Sequence, residues 1–339
     1  MYKPQFDITP RLLKLIAEAT ELKAWIGQAV IDVTWLSTLQ RETAARLAHS
    51  STAIEGNPLT LPEVEALAKG IDVPTMGKAK REVLNYLAAM KWIWRKKSKG
   101  QISEKILLHL HTILTKGILE ESDVGQYKSR SNRVVNYKGH TIYTPPPPSK
   151  AKPLTKELLN WIMGKEANEL HPIIICAIAH HRLVSIHPFM DGNGRISRSL
   201  GIWLLYTRGF DTHHLFALDE FFWEDRPRYY QKIQQARDLD DDLTYWLEYC
   251  AEGVVQTLNN TKGRILSLEV KSSKSRIILT KRQEDVLRFL RDQGRVRSPD
   301  IEKAFKISRA RVGQILKPLV DAGLVKRKGH TRATTYELE

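Results

Sequence analysis

Residues 187–198 bring together side chain types that could bind a metal–phosphate complex and accept a proton. The segment begins His-Pro-Phe-Met-Asp-Gly-Asn-Gly-Arg, and a second arginine follows at position 198. Pro188 ends the helix predicted before it and leaves the imidazole of His187 at the helix end. Asp191 provides a hard oxygen ligand of the kind that Mg²⁺ accepts alongside phosphate oxygens and water.

The glycine run that follows this acid indicates an anion site. Gly192, Asn193 and Gly194 tolerate positive φ, so successive backbone N–H groups can turn towards an anion. The helix predicted to follow adds its N-terminal dipole, and Arg195 and Arg198 lie on nearly one face of its first turn. Each feature alone has an ordinary explanation, namely a helix end, a turn or a solvated arginine. Their combination favours a Mg–diphosphate site with a histidine beside it.

The elements that must position this motif are predicted to be mainly helices. Apolar periodicity covers most of residues 11–97, and a helix from about Ser37 ends at Gly56-Asn57-Pro58, where glycine and proline stop it. A capping box at residues 60–63 begins the next helix. Further helices are predicted at residues 102–119, from about 155, from 172 into the motif, and at 196–207, 227–237 and 243–258.

Residues 132–148 break the helical pattern. Their sequence, NRVVNYKGHTIYTPPPP, has two short β-rich arms around Lys138-Gly139 and then four prolines. It predicts a two-stranded hairpin that leads into a polyproline stretch. Because an isolated hairpin is marginally stable at best, this one must lie against another part of the protein.

The last part of the chain predicts a winged helix-turn-helix domain. A capping box at residues 280–283 begins a first helix that ends at Gly294, Ser298-Pro299 begins a second, and Ser308 caps a third that ends at Ala322-Gly323. Two short strands follow, which completes the winged-helix pattern. The predicted division of the chain is a helical region at 1–97, a core with the hairpin at 98–268, a polar linker at 269–276 and the winged helix at 277–339.

Positive charge is concentrated at this end of the chain. The whole sequence has a net charge of +15, and residues 271–339 contain 18 Lys and Arg against 8 Asp and Glu, a net of +10. This excess favours an acidic partner such as duplex DNA. The candidate contacts are the exposed positions of the third helix: Arg309, Arg311, Gln314 and Lys317. The alternatives are a solvated surface, or a winged helix that serves docking or a homo-oligomer.

Composition indicates a soluble globular protein. The hydrophobic fraction is 42% and the charged fraction 27%, which argues against disorder. No apolar run approaches the ~18 residues of a membrane span, and the N-terminal segment lacks a signal-peptide pattern. Cys176 and Cys250 are too few for a disulfide framework or a zinc cluster. We expect a cytoplasmic protein without a membrane partner.

The nine residues from His187 to Arg195, together with Arg198, resemble the complete core motif of the Fic family (filamentation induced by cAMP). This family transfers AMP from ATP to a protein hydroxyl. The resemblance covers residues 36–258 and implies a Fic-type helical bundle with a β-hairpin flap. It also implies that Mg²⁺ accompanies the ATP.

The resemblance assigns a role to each residue of the motif. His187 would be the general base that takes the proton from a target Ser, Thr or Tyr. Asp191 would hold Mg²⁺ on the α- and β-phosphates. The backbone of residues 192–194, with Asn193, would form the anion hole. Arg195 would contact the outer phosphates, and Arg198 would contact the γ-phosphate.

A second segment, HSSTAIEGN at residues 49–57, resembles the inhibitory motif of the same family. Ser51, Glu55 and Gly56 occupy its matching positions. In the subgroup that carries this motif before the core motif in the same chain, the glutamate pairs with the second arginine, here Arg198. The resemblance therefore implies a self-inhibited enzyme, whereas spacing alone makes Glu55 a solvated residue at a helix end.

The hairpin resembles the flap of the family, which holds a target segment beside the histidine by strand addition. The flap residues are Val134, Val135, Asn136, Tyr137, Thr141, Ile142 and Tyr143. Tyr229 and Tyr230 fall where the family often places a tyrosine near adenine. The sequence alone is equally consistent with core tyrosines at these two positions.

Three functions remain open at this point. The first is a protein adenylyltransferase that uses ATP and Mg²⁺ on an unidentified target protein. The second is a DNA-binding transcriptional regulator whose helical domain senses nucleotide without transferring it. The third is a related enzyme that removes AMP or transfers another nucleotide. The intact His187 favours the first over the second, because a sensor needs the phosphate site but no base.

Overall fold

The chain folds into two units. The computed structural model describes residues 2–29, 31, 33–74, 77–95, 102–135, 139–210, 212–271, 279–321, 323–329 and 334–338. One unit contains Met1–Gln28 and Gln40–Gly263, and the other contains Ala29–Leu39 and Arg264–Glu339.

Helices make up most of the chain before residue 272, as the sequence predicts. They are α1 (Pro10–Gln28), α2 (Val33–Ile54), α3 (Leu61–Ala68), α4 (Lys78–Arg95), α5 (Glu104–Thr115), α6 (Pro148–Met163), α7 (Lys165–Glu169), α8 (Pro172–Ile186), α9 (Asn193–Thr207), α10 (Leu218–Glu224), α11 (Arg226–Asp238) and α12 (Thr244–Lys271). The apolar helices α8 and α9 pack against each other, and nearly all of their residues are buried. The central motif joins these two helices, so its loop rests on a rigid core.

Helix ends follow the local signals where these are strong. α2 ends at Ile54, and Gly56 adopts a left-handed backbone with φ of 94° directly afterwards. The predicted capping box begins α3 at Thr60. α6 begins at Pro148 rather than near residue 155, because proline suits the first position of a helix as well as a polyproline segment. α7 and α10 are short helices that the sequence pattern did not predict.

The predicted hairpin is present. Strands β1 (Val134–Val135) and β2 (Thr141–Tyr143) pair antiparallel, with Val134 opposite Tyr143. The side chains of Val135 and Ile142 are exposed, at 52% and 44%. The loop residues Asn136 and Tyr137, which are part of the predicted flap, lie outside the described residues together with Lys138.

The second unit contains the predicted winged helix. Its elements are α13 (Lys281–Gln293), β3 (Val296–Arg297), α14 (Ser298–Phe305), α15 (Arg309–Asp321), β4 (Val325–Lys328) and β5 (Thr335–Leu338). The three strands form one antiparallel sheet in the order β3-β5-β4. Apolar residues of the helices and strands form a small core in this unit. The two-residue strand β3 was not predicted, because so short a strand has no periodicity. Ala322, expected at the end of α15, lies outside the described residues.

The predicted domain limits differ from the two units at two places. Residues 40–95 belong to the same unit as the central motif, so the predicted limit at residue 97 is not a limit between the two units. α12 continues to Lys271 and includes the first residues of the predicted linker, and residues 272–276 lie outside the described part. Among the described helices, none combines the length and the apolar character that crossing a membrane requires.

Candidate active site

His187 lies directly after α8 and is held there by its own backbone. It adopts a left-handed conformation (φ 50°, ψ 57°), and its N–H donates to the carbonyl of Leu183 at 3.0 Å. Its Nδ1 lies 3.3 Å from the carbonyl oxygen of Val184. Since a carbonyl only accepts, Nδ1 carries the proton and Nε2 keeps its lone pair. The side chain can therefore accept a proton at Nε2.

The electrostatics of the site keep this imidazole neutral. The pKa of His187 is lowered to about 4, mainly because the surrounding protein shields the ring from water. The positive charges of Lys128 and Arg237 lower the pKa further, and the nearby Glu55 opposes them. At neutral pH the group is thus in the form that a general base requires.

Phe189 anchors the loop after His187. Its ring is fully buried and stacks on His111, with the ring centroids 3.9 Å apart. Its backbone N–H donates to Oδ1 of Asn193 at 3.0 Å, and its carbonyl accepts from Nδ2 of Asn193 at 2.9 Å. The Asn193 side chain therefore closes the loop and is not directed at an anion. This corrects the expectation for its side chain and leaves its backbone N–H as the group that could contribute to the anion hole.

Asp191 is fixed on one side and open on the other. Its carboxylate accepts from the N–H of Gly192 at 2.6 Å and from Nη2 of Arg195 at 3.3 Å, and 47% of the side chain is exposed. Its backbone carbonyl accepts from Nε2 of His111 at 3.0 Å, while Nδ1 of His111 accepts from the N–H of Gly125. Burial lowers the pKa of His111 to about 4, so this ring stays neutral.

The donor set around Asp191 suits a cation that is shared with phosphate. The described residues contain no cluster of three His, Cys, Asp or Glu side chains that could enclose a metal ion. A single accessible carboxylate fits Mg²⁺, which keeps waters and binds substrate phosphates in place of further protein ligands.

The N-terminus of α9 faces the carboxylate of Glu55. Gly192 caps the helix with φ of 80°, and the first N–H groups that follow have no partner within the helix. A Cβ at Gly194 would lie 2.1 Å from Oε1 of Glu55, so only glycine permits this approach. An acidic group of this chain thus lies where a helix N-terminus attracts anions.

Arg198 is buried in contacts with the segment that carries Glu55. Its Nη2 donates to Oε1 of Glu55 at 2.7 Å and to the carbonyl of Ser51 at 2.8 Å, and its Nε donates to Oγ of Ser51 at 2.8 Å. Nη1 lies 3.4 Å from the hydroxyl of Tyr229, and the buried Asp219 is 3.8 Å from Nε. The guanidinium is thereby surrounded by acceptors of its own chain.

Arg195, three residues earlier, lies between two different carboxylates. Its side chain is 2% exposed, with Nη2 on Asp191 and Nη1 3.4 Å from Oε1 of Glu82 on α4. Its Nε and Nη1 have no hydrogen-bond acceptor among the described residues. The Glu82 carboxylate also accepts from Nδ2 of Asn57 at 2.9 Å. This geometry differs from the expectation of an arginine that points at outer phosphates.

The two tyrosines of α11 differ. Tyr229 is 1% exposed and its hydroxyl lies 2.9 Å from Nε2 of the buried His180, so it is packed as a core residue. Tyr230 is half-buried and donates from its hydroxyl to the carbonyl of Ile54 at 3.2 Å. The contact of these two tyrosines with adenine stays a prediction, and Tyr230 is the more exposed of the two.

The hairpin is attached beside the end of α8. The hydroxyl of Tyr143 donates to the carbonyl of Ser185 at 2.8 Å, and the guanidinium of Arg237 lies 3.6 Å from the centre of the Tyr143 ring. Nε of Arg237 also donates to Oγ of Ser185 at 3.1 Å. These contacts place β2 close to His187, two residues after Ser185.

Several residues of the site have no signal in the sequence pattern. They are Glu82, His111, Lys128, Asn132 and Asp219. Each reaches the motif from a distant part of the chain. Asn132 begins the predicted hairpin segment, and the other four belong to no recognisable local motif.

The winged helix presents the predicted polar face. Arg309, Arg311, Gln314 and Lys317 are all exposed along α15. Nη1 of Arg311 donates to Oε1 of Gln314 at 2.9 Å, and no carboxylate pairs with either arginine among the described residues. The face therefore carries positive charge that the described part of the protein does not neutralise.

Two family models match the chain. The model of the Fic/DOC family matches residues 101–205, and that of the MarR family matches residues 279–333. Among curated proteins, a protein adenylyltransferase Fic from Drosophila grimshawi is 28% identical over 228 residues, which is 66% of this chain and 44% of that protein. One from Nematostella vectensis is 28% identical over 62% of this chain and 47% of its own length. The chain thus spans less than half the length of these relatives.

Solved structures agree with this fold. A Fic family protein from Desulfovibrio desulfuricans G20 has a TM-score of 0.70 at 23% identity and covers 100% of this chain and 98% of its own. A fragment of Fic-1 from C. elegans has a TM-score of 0.64 at 25% identity and covers 76% of this chain and 73% of its own. The first of these structures therefore resembles the fold along the whole chain, and the second resembles it over about three quarters of the chain.

Proposed function

Since residues 101–205 of this chain form a Fic domain, we propose that the protein is an adenylyltransferase that transfers AMP from ATP to a hydroxyl of a target protein. The observation that carries the proposal is the pairing of a neutral His187, whose Nε2 is free to accept a proton, with an anion-binding helix N-terminus a few residues later. The named relatives with this activity support it.

The proposed reaction uses His187 and the N-terminus of α9 in one displacement. The oxygen of the target Ser, Thr or Tyr attacks the α-phosphorus as its proton passes to Nε2 of His187. A bond forms between that oxygen and phosphorus, the bond to the bridging oxygen of the β-phosphate breaks, and diphosphate leaves. The N–H groups at the start of α9 stabilise negative charge on the phosphates.

Asp191 is the residue that would hold Mg²⁺ against the phosphates. The ion would supply charge neutralisation for the diphosphate leaving group. Arg195 keeps the carboxylate oriented through its 3.3 Å contact. Asp191→Ala should therefore weaken metal-dependent nucleotide binding, whereas His187→Ala should leave that binding largely intact.

We further propose that Glu55 inhibits the enzyme. Its carboxylate occupies the two features that attract phosphate, the N-terminus of α9 and the guanidinium of Arg198. ATP must then bind without the charge of Arg198, in a pose poorly suited to in-line attack. Ser51 and Gly56 support this state, the first as a second acceptor for Arg198 and the second by ending the helix behind Glu55.

The hairpin is the proposed docking site for the target. Its two strands leave backbone groups for pairing with an extended segment, and Val135 and Ile142 offer exposed apolar side chains. Of the predicted flap residues, Val134 and Thr141 contribute backbone, and Tyr143 anchors the hairpin to α8. Asn136 and Tyr137 stay predictions.

The test is incubation of the purified protein with labelled ATP and Mg²⁺, followed by mass spectrometry of every modified residue. Wild type should gain the mass of AMP on a Ser, Thr or Tyr of itself or of an added extract protein. His187→Ala should transfer AMP at least about 100-fold more slowly than wild type, while its affinity for ATP·Mg²⁺ stays near the wild-type value. Loss of AMP from a modified protein, or transfer of another nucleotide, would assign the site to one of the related reactions.

A second proposal concerns the winged helix, which we expect to bind duplex DNA. The supporting observation is the exposed, unneutralised face of α15 in a domain that matches the MarR family. A nucleotide-sensing regulator would show this binding with no AMP transfer at all. An adenylyltransferase with a DNA-binding domain would show both.

A further inference from the structure

Lys128 is a buried lysine without an acidic partner. It lies between α5 and the hairpin and is 3% exposed, and burial lowers its pKa. Its ammonium donates to Oδ1 of Asn132 at 2.9 Å, and no carboxylate lies within ion-pair distance among the described residues. Because an uncompensated buried charge destabilises a fold, its presence beside a reactive histidine calls for a physical reason.

The contacts of Lys128 lead to the loop that carries His187. Its backbone N–H donates to the carbonyl of Pro188 at 2.9 Å. Its partner Asn132 donates from Nδ2 to the carbonyl of Phe189 at 2.9 Å. The loop is therefore held by this pair on the side of the hairpin, and by Asn193 on the side of α9.

The charge of Lys128 also reaches His187. The charged groups that act on this imidazole come from three elements: Lys128 before the hairpin, Arg237 on α11 and Glu55 after α2. The two cations oppose protonation of the ring, and Glu55 favours it. Without the carboxylate of Glu55, only the two cations would act on the ring.

We propose that Lys128 is a positioning residue for His187, with two separable actions. Through Asn132 it holds the His187–Phe189 turn in place, and through its unpaired charge it adds to the burial that disfavours protonation of the imidazole. The proposal rests on the role of His187 in the proposed function. Lys128 itself is not required to touch the substrate.

Two variants separate the two actions. Lys128→Gln removes the charge but keeps an N–H donor for Oδ1 of Asn132. Asn132→Ala removes the contact with Phe189 but keeps the charge. Lys128→Arg, which keeps the charge, is the matched control for the first. Circular dichroism verifies folding, and Lys128→Met replaces the glutamine variant if the latter does not fold.

The first measurement is an NMR titration of full-length protein labelled with ¹³C-histidine, in which the signal absent from His187→Ala identifies His187. Wild type should titrate near a pKa of about 4. Removal of a nearby positive charge should raise the midpoint in Lys128→Gln by roughly half a pH unit or more, while Lys128→Arg and Asn132→Ala stay at the wild-type midpoint.

The second measurement is the pH profile of kcat/KM for AMP transfer. Lys128→Gln should shift the acid limb upward by the same amount, while Asn132→Ala should lower kcat about five-fold or more without moving that limb. An unchanged midpoint together with wild-type rates in both variants would overturn the proposal. If neither wild type nor Glu55→Gly transferred AMP, the proposed function would fail, and the titration alone would still decide whether Lys128 affects the charge of His187.

Discussion

Arg195 and Arg198 of the central motif have the opposite surroundings to Arg309 and Arg311 of α15. The first pair is 2% exposed and is contacted by carboxylates of the same chain. The second pair is exposed and has no acidic partner among the described residues. The same residue type is therefore fixed by ion pairs in the central motif and is solvent-exposed and, within the described part of the chain, unpaired on α15.

This difference determines how each region should respond to change. If Glu55 inhibits as proposed, removal of its carboxylate should raise activity, because the charge of the buried Arg198 would then act on phosphate in a site of low dielectric. An exposed arginine acts at longer range, and salt screens it. Removing charge should thus raise activity in one region and lower binding in the other.

The largest effect is expected for Glu55→Gly. Removal of the carboxylate should release Arg198 and the N-terminus of α9 for the γ-phosphate, and initial-rate incorporation of labelled AMP should rise at least about ten-fold. A ten-fold gain corresponds to only ~1.4 kcal/mol of barrier, which is modest for one charge beside a triphosphate.

Two variants sharpen this result. Glu55→Gly combined with Arg198→Ala should lose most of the gain, since the released guanidinium is then missing. Glu121→Gly is the matched control, because Glu121 is an exposed glutamate in another turn. A rate for Glu55→Gly equal to that of wild type would refute inhibition by Glu55, and Glu55 would then be an ordinary residue at a helix end.

Local signals predicted the helix ends better than the contacts of the site. The capping boxes at Thr60 and Thr280 are present as predicted, because each depends on residues three positions apart. The contact of His111 with Asp191 joins residues 80 positions apart and depends on how helices pack. Tyr229 and Tyr230 show the same limit, since adjacent positions on one helix face different sides and only the fold decides which is buried.

The family resemblance supplied what spacing could not. Glu55 and Arg198 are 143 residues apart, and their 2.7 Å contact agrees with the resemblance. The resemblance did not include Glu82 or Lys128, and it assigned Arg195 to the outer phosphates without indicating its contacts with Asp191 and Glu82. Electrostatic partners of a motif are thus harder to predict than the motif itself.

The second effect concerns the exposed pair. Full-length protein should bind duplex DNA with an affinity that falls steeply as salt rises, because Lys and Arg release counterions from phosphates. Arg309→Ala and Arg311→Ala should each weaken binding by about three- to ten-fold at low salt. Lys281→Ala on α13 is the control, since this exposed lysine lies outside α15. Fluorescence anisotropy that showed no binding to any duplex at low salt would assign the domain to docking.

The smallest effect tests whether Arg195 is restrained as Arg198 is. Glu82→Gln keeps an oxygen that can accept from Asn57, but it removes the charge 3.4 Å from Nη1 of Arg195. Because this contact is longer than the 2.7 Å bond of Arg198 and Asp191 still holds Nη2, the release should be partial. We expect the KM for ATP·Mg²⁺ to fall about two-fold with little change in kcat, which is the pattern of improved ground-state binding.

The same variant should also change the stability of the fold. Removal of one partner from a buried ion pair leaves the other charge less compensated, so a lower melting temperature is expected for Glu82→Gln in the absence of nucleotide. Saturating ATP·Mg²⁺ should restore most of that loss, because phosphate then faces the guanidinium. Glu82→Asp keeps the charge and serves as the control. A KM that rose in Glu82→Gln, with no rescue by nucleotide, would show that Glu82 holds Arg195 in its productive position and that restraint by a carboxylate is limited to Arg198.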